Sequence, residues 1–95
     1  MPTYVMLSRL TDHGAKTVKD NPGRILEVDS QLAEMGLDVK HQFAVLGRFD
    51  FVNIVEAPDD LTVARIALEL ASRGSVRIET LAAIPVEDLV AGLKG

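Results

Sequence analysis

The chain has 95 residues, 47% of them apolar and 4% aromatic, with a formal net charge of −4 and no cysteine. That describes one domain able to bury a real core, without the electrostatic footprint of a nucleic-acid binder and without disulfides or thiol catalysis. No run approaches the roughly 18 continuous apolar residues of a membrane helix, no basic stretch followed by a long apolar run marks a secretion signal, and a cytoplasmic location is expected.

From the N-terminus, Thr3 to Leu10 reads as a first strand. Val5 and Leu7 point to one face; Tyr4, Met6 and Ser8 point to the other. Both faces are partly apolar, which fits a central strand. Thr11-Asp12-His13-Gly14 reads as a loop leading into a helix, with Thr11 or Asp12 as its cap. Asp20-Asn21-Pro22-Gly23 then interrupts the helical pattern, and Asn21 is expected to cap a new segment with Pro22 in its first turn. Ile25, Val28, Leu32 and Met35 recur at spacings of three and four, which predicts an amphipathic helix stopped by Gly36.

Asp38 to Leu46 reads as a second strand. Val39, His41, Phe43 and Val45 share one face of it; Lys40, Gln42, Ala44 and Leu46 share the other. Gly47 accepts positive φ between two apolar runs, a hairpin signal. Phe51 to Val55 is the third strand, rich in β-branched and aromatic residues. Val52 and Ile54 lie on one side of it, and Phe51, Asn53 and Val55 on the other. Pro58 ends it. Asp59 or Asp60 caps a second long helix, Leu61 to Arg73, with Val63, Ile66, Ala67 and Leu70 as its core stripe and Gly74 as its stop. In a fourth strand, Val76 to Ile84, Val76, Ile78 and Thr80 alternate with Arg77, Glu79 and Leu81. Pro85 ends that strand, and Val86 to Leu93 makes a short terminal helix.

The order strand, helix, strand, strand, helix, strand is the ferredoxin-like split arrangement, an α+β fold. Right-handed crossovers place both long helices on one face of a four-stranded antiparallel sheet. Val5, Leu7, Val52, Ile54, Val76 and Ile78 are expected to face those helices. Tyr4, Met6, Phe51, Asn53, Val55, Arg77, Glu79 and Leu81 are expected on the open face, joined by either His41 or Gln42. An open face of that size is an interface or a groove, so we expect a homodimer in which two sheet faces meet, with a higher oligomer as the variant.

The open set is where polar groups converge with apolar walls, as small-molecule sites require. Tyr4, Met6, Phe51, Asn53, Arg77 and Glu79 are therefore the candidate ligand-binding residues. His41 is the candidate for proton transfer, against the bland role of a packed strand histidine. His13 reads as a solvated residue. Asp50 is either a base or, as we prefer, an acceptor that fixes the hairpin through backbone N–H groups. Arg77 and Glu79 stand two apart on one strand and are expected to pair, with each other or across the dimer. No His-x-His or His-x3-His spacing marks a metal site. No phosphate loop, nucleophile elbow or dinucleotide fingerprint occurs, so no cofactor is expected.

Gly47-Arg48-Phe49-Asp50-Phe51-Val52-Asn53-Ile54-Val55-Glu56-Ala57-Pro58-Asp59-Asp60 resembles the signature of the GYD-domain family, named for Gly-Tyr-Asp. Gly74 to Leu81 is similar to that family's last strand, and Tyr4-Val5-Met6-Leu7 followed by Thr11 and Gly14 is similar to its opening. The likeness covers nearly the whole chain. It departs at Phe49, where the family has its tyrosine. The resemblance implies a ferredoxin-like fold related to dimeric α/β-barrel proteins, and a homodimer, but no particular activity. Two readings of function follow. One is a small homodimeric ligand-binding or assembly module that uses the open sheet face. The alternative is a small cofactor-free enzyme, of isomerase, cyclase or oxygenase type, acting on an apolar or aromatic compound.

Overall fold

Eight elements follow one another in the computed structural model, which describes residues Met1–Gly95: β1 (Thr3–Leu10), α1 (Asp12–Asp20), α2 (Arg24–Glu34), β2 (Asp38–Ala44), β3 (Phe51–Glu56), α3 (Asp60–Ser72), β4 (Val76–Ala83) and α4 (Val86–Lys94). The strands form one antiparallel sheet in the order β2-β3-β1-β4. This is the α+β, ferredoxin-like arrangement that the element order predicts. β1 and β3 are its central strands.

Local chemistry sets the boundaries. Thr11 caps α1: its Oγ1 accepts from the Gly14 N–H at 3.1 Å and donates to the Gly74 carbonyl at 2.7 Å. The Thr11 N–H also donates to the Ser75 carbonyl at 3.0 Å. A Cβ on Gly14 would stand 1.9 Å from the Ser75 oxygen, so only glycine lets α1 lie against the start of β4. Asp59 caps α3, its Oδ1 accepting from the N–H and the hydroxyl of Thr62 at 2.9 and 2.7 Å. Asn21 does not cap α2. It closes α1, and its carbonyl accepts from the Arg24 N–H at 3.0 Å, so Asn-Pro-Gly is a turn between two helices. β2 ends at Ala44, short of the expected Leu46, because its partner β3 begins only at Phe51.

The core is Tyr4, Met6, Leu32, Leu37, Val55, Ala57, Val63 and Ile66. Its membership settles which sheet face the helices cover, and for the two central strands it reverses the expectation. Tyr4 lies opposite Val55, Met6 opposite Asn53 and Ser8 opposite Phe51, so these six residues share the helix side. Val5, Leu7, Val52 and Ile54 are on the open side. β4 follows the expectation: Ile78 packs against the core, with Arg77, Glu79 and Leu81 facing away. The physical reason for the reversal is polar. The Tyr4 hydroxyl donates to Asp60 Oδ1 at 2.5 Å at the start of α3, so a tyrosine is buried with its one polar atom bonded.

A bulge in β2 makes a second correction. Val39 pairs with Val55 and His41 with Ile54, which leaves Lys40 as an extra residue. Val39 and His41, expected on one face, therefore lie on opposite faces. Val39 joins the core side, and His41 and Phe43 join the open side.

Candidate functional site

Two features of the fold carry chemistry: the open sheet face and a cleft beneath the helices. On the open face, Val5 and Leu7 of β1 and Val52 and Ile54 of β3 form a half-buried apolar centre. Phe43 and Leu81 flank it, 56% and 45% exposed. The His41 ring stacks on Phe43 with centroids 6.4 Å apart. Arg77 and Glu79 stand on the same face, and neither makes an ion pair within the chain; the ion pairs are Arg24–Glu27, Lys40–Asp38 and Arg73–Glu69. The expected intrachain pairing of Arg77 with Glu79 is not made.

The cleft lies on the other side, between the sheet and α1, α2 and the end of α3, with a volume of about 140 Å³. Leu10, Val28, Phe51, Leu70 and Ile78 supply apolar wall, while Ser8, Asn53, Gln42 and Asp29 supply polar atoms. Gln42 Nε2 donates to Asp29 Oδ1 at 3.1 Å. Burial pushes the Asp29 carboxyl above its ordinary pKa, against the Gln42 bond, which lowers it. Asn53 Oδ1 is buried and has no hydrogen-bond partner.

The sheet thus divides the residues singled out from the sequence. Tyr4, Met6, Phe51 and Asn53 are on the helix side, with Tyr4 and Met6 in the core and Phe51 and Asn53 lining the cleft. Arg77, Glu79 and His41 are on the open side. Of His41, Tyr4, Asn53 and Arg77, any of which the enzyme reading would place in its pocket, Asn53 lines the cleft and Tyr4 lies in the core beside it. Asp50 is tied to the backbone by three hydrogen bonds. Its Oδ2 accepts from the Leu10 N–H, its N–H donates to the Ser8 carbonyl, and its carbonyl accepts from the Val45 N–H, each at 2.8 Å, so it ties the hairpin to the end of β1. His13 is exposed on α1. Phe49 is held by cations, with the guanidinium groups of Arg9 and Arg48 at 5.9 and 5.4 Å from its ring centre.

Sequence reasoning missed Ser8 and Asp29 as members of a cleft, and offered Gln42 only as the alternative to His41 beside Asn53. Their only signal was polarity beside an apolar stripe, as where Asp29 follows Val28 on α2. No group of three or more His, Asp or Glu side chains is placed to share a metal ion. No helix is long and apolar enough to cross a membrane.

Comparison with known proteins adds the following. The profile of the GYD domain matches residues 4–92. The chain is 59% identical over 95 residues to a glutamine synthetase and cystathionine beta-lyase binding protein of Thermus thermophilus, covering 99% of this chain and all of that one. No solved structure matches it.

Proposed function

The chain belongs to the GYD-domain family, and from that membership and its uncovered surface we propose that it is a cytoplasmic, homodimeric binding module whose partners are enzymes. The observation that carries this reading is the open sheet face. Val5, Leu7, Val52 and Ile54 of the central strands, all aliphatic, point away from the helices. A sheet face of that composition is normally covered.

The surface area supports the reading. The chain exposes 6458 Å², whereas a folded monomer of its mass exposes about 5,400 Å² by the usual scaling. The excess of about 1,100 Å² is comparable with the roughly 800 Å² that each partner contributes to a standard interface. A two-fold pairing of open faces suits Arg77 and Glu79, since an isologous contact sets the cation of one copy against the carboxylate of the other. The terminal helix is a second uncovered surface: Val86, Leu89, Val90 and Leu93 form one stripe at i, i+3, i+4 and i+7, and no residue of α4 is buried. An apolar stripe on a free helix is what a groove on a protein partner takes. The relative is named for binding two enzymes, and glutamine synthetase is the partner to try first.

Native mass spectrometry tests the proposal. The expected results are a dimer for the wild-type chain, a folded monomer for Ile54→Lys, and a complex when the glutamine synthetase of the same organism is added. A monomeric wild type, or a dimeric Ile54→Lys, overturns the sheet-face interface. Absence of any complex overturns the enzyme partner.

A further inference from the structure

One end of the open sheet face gathers positive charge that the chain itself does not neutralise. Arg9 on β1 and Arg77 on β4 are direct cross-strand partners on that face, and both are exposed. Like charges set directly opposite each other on a sheet are destabilising. Arg48, in the turn between β2 and β3, is held beside Arg9. The Arg9 Nε–H donates to its carbonyl at 3.1 Å, and the Arg9 and Arg48 guanidinium groups lie 5.9 and 5.4 Å from the centre of the same Phe49 ring. None of the three arginines forms an ion pair; those of the chain involve Arg24, Lys40 and Arg73. Of the acids at this end, Asp50 accepts the Leu10 N–H through Oδ2. Glu79, opposite Leu7, stands diagonal to Arg9 without pairing with it. The chain has 14 acidic and 10 basic side chains, so three arginines left together without a carboxylate mark a place where negative charge comes from outside.

The free donors define the ligand. An arginine presents its N–H groups as a planar fork, and one fork satisfies one carboxylate. Arg9 has committed its Nε–H to the Arg48 carbonyl, and no other N–H of the three guanidinium groups makes a hydrogen bond within the chain. Three forks and three positive charges exceed what a single carboxylate uses. A phosphate group matches them better, with about −1.5 to −2 charge at neutral pH and three strong acceptor oxygens. Phe49 places two of the guanidinium groups before any ligand arrives, which reduces the ordering cost of binding.

We propose that Arg9, Arg48 and Arg77 form a binding site for a small phosphate-bearing anion, inorganic phosphate or a phosphate monoester. All three arginines belong to one chain, so the site needs no second copy. It borders the surface assigned to the dimer, and anion binding is therefore read in the dimer and in the monomer separately.

The test is a titration of the full-length chain with sodium phosphate, followed by amide chemical shifts at an ionic strength held constant with sodium chloride, with methyl phosphate and acetate as comparison probes. Phosphate is expected to give saturable shifts at Arg9, Arg48, Phe49 and Arg77 and to leave α4 unmoved. Acetate, with less charge, should bind about fivefold more weakly. Arg9→Gln, Arg48→Gln and Arg77→Gln, all at exposed positions, should each weaken phosphate about two- to fivefold, the worth of one exposed charge pair. Glu79→Gln should tighten it by about the same factor. Methyl phosphate that binds like phosphate assigns the site to an ester; a site that takes inorganic phosphate alone assigns it to the free ion. Ile54→Lys should keep the phosphate site as a monomer, so the dimer and the anion site can each fail alone. The proposal is overturned if phosphate gives no saturable shift beyond that of chloride, if acetate binds as well as phosphate, or if the three arginine variants bind phosphate like wild type.

Discussion

Tyr4 is the only tyrosine of the chain and the residue on which the core's polarity turns. It is 4% exposed, and its hydroxyl donates to Asp60 Oδ1. That hydrogen bond, then burial, then the negative charges of Asp60 and Asp59 push its pKa from 10.0 to about 12. The folded state therefore favours the protonated phenol. Its contribution to stability is fully present below pH 10 and is lost as pH rises through about 12. Ultraviolet titration of the native chain, with one tyrosine to observe, should give a midpoint near the higher value; a midpoint near 10 would break the Tyr4–Asp60 assignment. Tyr4→Phe should melt lower at neutral pH, and its difference from wild type should shrink across the same window. Asn53 and Asp50 show what sequence can say about single residues. Asp50 follows a turn glycine, where a carboxylate that binds backbone N–H groups is the common outcome. Nothing around Asn53 in the sequence told which side of the sheet it faces.

The elements were legible because their punctuation is chemical. Thr11 and Asp59 accept from the N–H groups of the following turn, and Gly36 and Gly74 adopt φ values of 100° and 80° after the helices they stop. The faces of the central strands were not legible. β1 offers Val5 and Leu7 on one side and Tyr4 and Met6 on the other, so alternation alone gives no direction. β2 carries a bulge, which breaks the alternation outright. The corrected faces make a quantitative prediction. Met6→Ala, at a position 2% exposed, should cost about 2–5 kcal/mol whatever the protein concentration. In the proposed dimer a second copy covers Ile54, so the cost of Ile54→Ala in chemical denaturation should grow with concentration. An Ile54→Ala penalty that is constant and as large as that of Met6→Ala would put Ile54 back under the helices.

At the scale of the whole molecule, few residues are interior: 10 of 95 are buried, and the chain measures 52 × 29 × 19 Å. A chain this short buries a modest share of its surface alone, and here the open sheet face and α4 add apolar area that no part of the chain covers. The two surfaces have separate roles in our proposal, and deletion distinguishes them. Removing residues 86–94 takes away no buried side chain. The truncated chain should keep its far-ultraviolet circular dichroism per remaining strand and helix, keep its dimer mass, and lose binding to the enzyme partner. Loss of the fold would show that α4 is part of the core, and undiminished enzyme binding would remove α4 from the interface.

The sequence by itself determined the elements, their order and the ferredoxin-like arrangement, because caps, stops, turns and apolar spacing are local properties that each act within a few residues. It also carried the family, through motifs spread from Tyr4 to Leu81. Only the tertiary structure decided which face of β1 and β3 is interior, that Gln42 meets Asp29, and that Ser8 and Asn53 line a cleft. Those outcomes depend on a hydroxyl reaching a carboxylate 56 positions away and on one extra residue in β2. Neither has a local signature, since a strand reads the same in both orientations until something distant covers one side of it.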